Sequence, residues 1–514
     1  MGAGVAVVLA AVGIAACGGG GGNSRPSGAD PAAKVPASAV FYASATIQPG
    51  ADQVQALQHI VNRFGGSGTW NRFLTQLDQS LSSGKVSYDK DFKPWIGDRV
   101  GFALTAWPAN IANSLGGGSV TQLRGIVGRT ASAAGSSTSN STDDVLLVFP
   151  TEHPDKARQA LPTLEQGSNA SDVTGKVVGN YVLFGGRPAV NAAQSVSAGN
   201  SLAGSSAYKA IVSKARANAL ASFYLNLHSF VPVLKSAARN NPSSSQLFNS
   251  PQISKALSML SANASALASI SVTNQTIAFD VAYHGVGSQS HPGSANVGSL
   301  PGDSWLAVAL PGISTSSLGQ AFRELEQINT VNGQAATGAQ VQQVSRLVRI
   351  IDSLFPDGIG QSSLSIAGAS QSVKAGLSLD AKTTQDASRV VGTLHSFLAA
   401  AGASVSGGAS GFSVPAQNFT LRVGSSGSNV TATLGYPSPS AFSSPSSKLS
   451  DNATYKTAVG QLASGSNVPL YLSFDKLLSV IPNASAQTES TLKKLSYLIV
   501  GTGQGDFRIV LGLH

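Results

Sequence analysis

Two stretches decide how this chain is read: SLAGSSAYKAIVSKARANALASFYLNL (Ser201–Leu227) and KLSDNATYKTAVGQLASGSNVPLYLSF (Lys448–Phe474). Laid over one another without a gap, Leu202, Tyr208, Lys209, Val212 and Tyr224 fall on Leu449, Tyr455, Lys456, Val459 and Tyr471. Every pair is 247 residues apart. In each stretch FYLNL or PLYLSF reads as a strand that enters a further helix. Such an internal match sets the number and kind of folding units, so it is sought before any motif.

The match extends outward in both directions. VPASAVFYASA (Val35–Ala45) resembles LPGDSWLAVAL (Leu300–Leu310) at an offset of 265. LLVFPTEHPDKARQAL (Leu146–Leu161) parallels GLSLDAKTTQDASRVV (Gly376–Val391), and ASISVTNQTIAFDVAYHG (Ala268–Gly285) resembles LSYLIVGTGQGDFRIVLG (Leu495–Gly512). Four segments in the same order predict two homologous units, residues 35–286 and 299–514, joined by a Gly/Ser/Pro-rich linker at 287–298.

Within each unit, strands alternate with helices. Val40–Ile47 alternates as a strand, and Val54, Leu57, Val61 and Phe64 then recur at helical spacing. Val341, Val344, Val348, Ile351 and Phe355 predict the corresponding second-unit helix, stopped by Pro356-Asp357-Gly358. DVLLVF, a helix after Pro154 and KVVGNYVLFGG read as strand, helix, strand. ISVTNQTIAFDVAY reads as a hairpin over Asn274-Gln275. The expected class is α+β, each unit a mainly antiparallel sheet with amphipathic helices on one face. The Ser/Gly stretches Thr130–Asp143 and Ala401–Ser413 read as mobile surface insertions.

At the other end lies the chain's single cysteine. Residues 2–16 carry no charge and are too few to span a bilayer as a helix of about 20 residues. Ile14-Ala15-Ala16-Cys17 resembles the bacterial lipobox, so residues 1–16 read as a lipoprotein signal peptide cleaved between Ala16 and Cys17. Cys17 would carry the lipid, and residues 17–34, opening on five glycines, would be the tether. The first basic residue is Arg25, so the usual positive n-region is absent. With one cysteine, an intramolecular disulfide, a thiolate zinc site and a second thiol nucleophile are all excluded.

The 514 residues are 42% hydrophobic, which excludes wholesale disorder, and only 11% charged, well below the usual quarter or so. Net charge is +9, but the 33 Lys and Arg are scattered. Export argues against nucleic acid as a partner and leaves the membrane, through the lipid, and an envelope protein, lipid or wall polymer.

No catalytic pattern stands out. The seven histidines have no second ligand at metal spacing; His153 beside Glu152 and Asp155 is the best cluster, and Asp155 equally reads as a helix-start charge. GGASG (Gly407–Gly411) places its serine one position late for a nucleophile elbow. Ser-x-x-Lys occurs at Ser82/Lys85, Ser87/Lys90, Ser206/Lys209 and Ser473/Lys476, but neither Ser206 nor Ser473 recurs in the other unit. No cofactor motif and no metal site is expected. Trp95, Tyr208 and Tyr455 are candidate ligand or partner contacts, although a packing role suits each of them better.

The head VPASAVFYASATIQPG, FKPWIGDRVGFAL (Phe92–Leu104) and SLAGSSAYK together resemble the DUF3352 family of bacterial envelope proteins, common in actinobacterial lipoproteins. Pro94-Trp95-Ile96-Gly97-Asp98 is the most specific match, and the resemblance runs over nearly the whole mature chain. It implies an exported α+β protein with no established activity and assigns no catalytic residue. The expected function is therefore non-enzymatic: a membrane-anchored lipoprotein on the extracytoplasmic face that binds a partner protein or an envelope ligand. An envelope hydrolase with a serine or carboxylate site, or a structural spacer, are the alternatives.

Overall fold

The strand FYASAT opens the first sheet with five of its six residues buried. Successive side chains of a strand point to opposite faces, so this strand is covered on both sides. The computed structural model describes residues 29–47, 51–72, 91–107, 143–167, 172–216, 219–240, 257–286, 296–312, 358–369, 372–415, 419–481, 485–503 and 505–514. It divides into two units, Met1–Gly287 and Ser288–His514.

The first unit has strands β1 (Phe41–Thr46), β2 (Arg99–Leu104), β3 (Val145–Pro150), β4 (Val173–Val178), β5 (Tyr181–Gly186), β6 (Ala221–Asn226), β7 (Leu260–Val272) and β8 (Thr276–Val286). All their pairings are antiparallel, in the order β4–β5–β3–β2–β1–β6–β7–β8. One apolar cluster joins Tyr42, Leu146, Leu183, Tyr224 and Leu267 to the helices Arg187–Gln194 and Ser206–Val212. A second joins Ala45, Val100, Phe149 and Val182 to the helix Pro154–Gly167. The two clusters use strand residues of opposite parity. The expectation of helices on one face is thus corrected: the central strands are apolar on both sides, and each side needs its own cover.

Two local expectations also shift. KVVGNYVLFGG is not one strand but the hairpin β4–β5, turning at Gly179-Asn180, with Gly179 at φ +57°. The Asn274-Gln275 hairpin forms as expected, its Thr273 and Thr276 hydroxyls 2.8 Å apart.

The Trp95 segment enters β2. Trp95 is 2% exposed, its ring centroid 5.8 Å from those of both Phe92 and Phe149, and its indole N–H donates to the Asp91 carbonyl. Gly97 follows because its amide donates to the Pro150 carbonyl at 2.8 Å, where a Cβ would stand 2.9 Å from that oxygen.

The second unit has β9 (Ser304–Leu310), β10 (Ser362–Ala367), β11 (Lys374–Asp380), β12 (Ser406–Gly408), β13 (Gly411–Pro415), β14 (Thr420–Ser426), β15 (Asn429–Leu434), β16 (Asn467–Ser473), β17 (Leu495–Gly503) and β18 (Asp506–Leu513). Its antiparallel order is β12–β13–β14–β15–β11–β10–β9–β16–β17–β18. The helix Thr384–Ala400 packs Ala387, Val390 and Val391 against Phe412, Val423 and Val430. The short helix Pro439–Ser443 seats the buried Phe442 over Gly376, where any Cβ would collide with its ring. Gly376 and Leu379, which packs with the first of these helices, have opposite parity on β11, so this sheet too is covered on both sides.

The stretch Ala401–Ser413, expected to be a mobile insertion, instead contributes the hairpin β12–β13, which pairs onto β14. The helix expected over Val341–Phe355 and most of Thr130–Asp143 lie outside the described residues.

Trp95→Ala is expected to lower the stability of the folded chain by about 3–5 kcal/mol, the usual cost of truncating a fully buried tryptophan. Urea unfolding followed by far-ultraviolet circular dichroism measures it, and an unchanged midpoint would show that the indole is not the anchor described.

Candidate functional site

Three residues singled out from the sequence prove to be core. Tyr208 and Tyr455 are 4% and 5% exposed. Their amides donate at 3.2 Å to the N-cap side chains Ser205 and Asn452 respectively. Each ring then meets a strand tyrosine edge-on: Tyr208 on Tyr224 at 5.4 Å, Tyr455 on Tyr471 at 5.1 Å. Burial pushes the Tyr208 phenol well up, and it pushes those of Tyr455 and Tyr471 up to about 12. None of these rings, nor Trp95, offers a face to a ligand. Ala16 and Cys17 lie outside the described residues.

The other candidates are dispersed. Asp155 pairs with Arg158 one turn along its helix rather than turning to His153. Ser206 and Lys209 are exposed. Ser473 is buried, and the Lys476 ammonium donates to the Gly302 carbonyl at 3.3 Å; burial lowers its pKa, opposed by the charge of Asp303. Ser82/Lys85 and Ser87/Lys90 lie outside the described residues. Among the described residues, no helix is long and apolar enough to cross a membrane.

Two polar features were not legible as sites. The first is closed. Cross-strand register in the first unit sets Gly101, Ser44, Ser222, Ser269 and Asp280 in one row across five strands. All four polar members are buried, with the Ser44 and Ser222 hydroxyls 2.8 Å apart and Arg216 3.4 Å from Asp280. It is a polar seam within the core, in which the Ser269 hydroxyl is left without a hydrogen-bond partner among the described residues.

The second is open. In the second unit a groove of about 540 Å³ lies beside β13 and β14, walled by the segment Pro437–Ser444. Nine serines and Thr431 line it, with one charged residue, Arg422, and no carboxylate. Arg422 is held by its own Nη1, which donates to the Tyr436 carbonyl at 2.9 Å. Ser438 caps the short wall helix, accepting from the Ala441 amide at 3.2 Å, and its hydroxyl lies 2.8 Å from that of Ser440. Chemically the groove offers many hydroxyls, each donor and acceptor, around a single fixed guanidinium. In the sequence these serines are indistinguishable from the rest of a serine-rich chain; only register brings Ser413, Arg422 and Gly424 beside the wall.

Residues 1–176 match the model of a family described as a protein of unknown function, DUF3352. The resemblance read from the head and the Pro94–Asp98 motif therefore holds over these residues. It covers about a third of the 514, not nearly the whole mature chain, and stops short of the Ser201–Lys209 element. No curated protein and no solved structure matches the chain.

The buried phenols make alkaline stability a direct check. Unfolded, Tyr455 and Tyr471 would titrate near their ordinary value of 10; folded, they hold their protons to about 12. Between those values the unfolded state binds fewer protons, so stability falls as pH rises through the window. Replacing both residues by phenylalanine is expected to make that fall shallower, measured as urea midpoints below and above pH 10. An identical slope would place these hydroxyls in water.

Proposed function

We propose that this chain is a lipoprotein of the extracytoplasmic membrane face, anchored through an acylated Cys17, built from two homologous α+β units, and acting by binding rather than by catalysis. The lipobox Ile14–Cys17 and the glycine tether after it support the anchor. The observation that carries the binding reading is the hydroxyl-lined groove around Arg422.

Strand register supports the duplication. With β12 and β13 set aside, the strands of both units lie in the same order in their sheets. Tyr42 pairs with Tyr224 in the first unit and Ala307 with Tyr471 in the second. Those positions are related by the offsets of 265 and 247 that the sequence alignment uses. Helices start at Pro154 and Thr384, 230 apart, which is also the separation of Leu146 and Gly376. The Gly97 amide meets the Pro150 carbonyl, and the Gly360 amide meets the Asp380 carbonyl. That contact relates Gly97 to Gly360 by 263, one more than the 262 by which the strand registers relate Gly101 to Ser363.

The tails fit only with gaps. Tyr224 faces Leu267 while Tyr471 faces Ile499, a separation of 232 rather than the 227 of the ungapped alignment. An odd shift sends every side chain to the other face. The turns differ as well: β7–β8 closes from Val272 to Ile277, whereas β17–β18 closes from Gly503 to Asp506.

Intact-mass analysis of the protein from native membranes, beside Cys17→Ala, tests the anchor. A chain beginning at Cys17 with a diacylglyceryl or triacyl addition, absent from the variant, is expected. An unmodified wild-type chain would overturn the lipoprotein reading.

A further inference from the structure

We infer that the second-unit groove is a site for a saccharide bearing one anionic group, a phosphate or carboxylate, with the anion on Arg422 and the sugar hydroxyls along the serines. The inference deepens the proposed binding role and rests on it.

The groove exists because the second unit departs from the first at three places. The pairings that carry Leu146 to Gly185 and Thr174, and Gly376 to Thr433 and Arg422, put Arg422 where the first unit has Thr174. Two residues on, Gly424 takes the place of Lys176. In the first unit Lys176 spans from β4 to the helix Arg187–Gln194, its Nζ donating to Asn191 at 2.9 Å and Gln194 at 2.8 Å. That bridge occupies the gap between strand and helix. At Gly424 no side chain does: the atom nearest a built Cβ is Pro439 Cγ, at an ordinary 3.4 Å. Third, the sheet of the first unit ends at β4, while β12–β13 carries the second unit two strands further. Ser406, Gly411 and Ser413 of that hairpin lengthen the groove. One bridge is removed, one cation is installed and the floor is extended, all at one spot.

The lining fixes the ligand's chemistry. Hydroxyls pair with hydroxyls and with anionic oxygens equally well, so serines suit a polyhydroxylated ligand. Arg422 has five N–H donors, and the bond to Tyr436 employs one, orienting a fork suited to phosphate or carboxylate. No lining carboxylate competes for it. The volume lies within the range of about 300–1,000 Å³ typical of small-ligand sites, which suits a short saccharide rather than a folded partner.

The test uses the full purified chain and calorimetric or NMR titration with four probes: glucose 6-phosphate, glucuronate, glucose and inorganic phosphate. The two anionic sugars are expected to bind more tightly than glucose or inorganic phosphate, and either alone identifies which anion the site prefers. Arg422→Gln is expected to weaken them by about tenfold or more, in line with the loss of a charged bidentate contact. Gly424→Lys restores the first unit's bridging residue at a position outside the left-handed region, and should abolish binding while the chain stays folded. If glucose binds as well as its phosphate, with loss only in Gly424→Lys, the groove remains a binding site and the anionic assignment falls. If inorganic phosphate binds as tightly as the sugar phosphate, the saccharide assignment falls. If no probe binds, or Gly424→Lys changes nothing, the groove is not the site and the binding role loses its support.

Discussion

Everything in each unit is keyed to a helix that must lay one tyrosine edge-on against a strand tyrosine. The seat needs a side-chain cap to start the helix, and Ser205 and Asn452 supply it in different chemistries at the same 3.2 Å. It also needs a leucine to pin the preceding turn, and Leu202 and Leu449 are both fully buried. An aromatic pair adds roughly 0.5–1.5 kcal/mol beyond the area it buries, but its larger consequence is geometric. Once the tyrosine sits, the helix has one position over its strand, and the strand has one register beneath the helix. That is why the ungapped Leu-Tyr match survives translation into structure while the tail, which has no such seat, slips.

The first unit extends this seat with Tyr42, 6.0 Å from Tyr208, where the second unit has Ala307. The same unit fills the entry to β2 with the buried Trp95. Both faces of its sheet are sealed by helices, so the polar seam from Ser44 to Asp280 has to find its hydrogen bonds within the protein. Ser44 and Ser222 do so, one hydroxyl donating to the other across the strand gap with little volume to accommodate, while the Ser269 hydroxyl is left without a partner among the described residues.

What the sequence made legible follows from how local each cause is. The Asn274-Gln275 hairpin, the helix after Pro154 and the Leu-Tyr element are written in consecutive residues, and all three formed. The β4–β5 turn is equally local, a Gly-Asn pair, but the apolar runs on either side read as one continuous strand. Two-sided burial was less visible: Phe41–Thr46 mixes alanine, serine and aromatics, so its parity does not announce which residues are covered. The β12–β13 hairpin was hidden by composition, since Gly407, Gly408 and Gly411 satisfy a loop and a tight edge hairpin alike. The groove was least legible of all. Its lining spans residues 406–444, and it depends on Gly424, a residue whose role is to have no side chain where another fold position carries Lys176.

A chain with so few charges has limited means of recognising anything. Charged side chains are 11% of this sequence, and most lie scattered over the two units. Serine, by contrast, offers a donor and an acceptor on a single rotatable bond, so fixing it against a ligand forfeits much less rotamer freedom than fixing a lysine or glutamine. A groove of serines pays for its weak individual contacts with low ordering cost, and it gains direction from one guanidinium already tied to the Tyr436 carbonyl. In the first unit Lys176, anchored to Asn191 and Gln194, braces strand to helix. In the second unit Gly424 carries no such brace, and β13 pairs β14 along that edge instead.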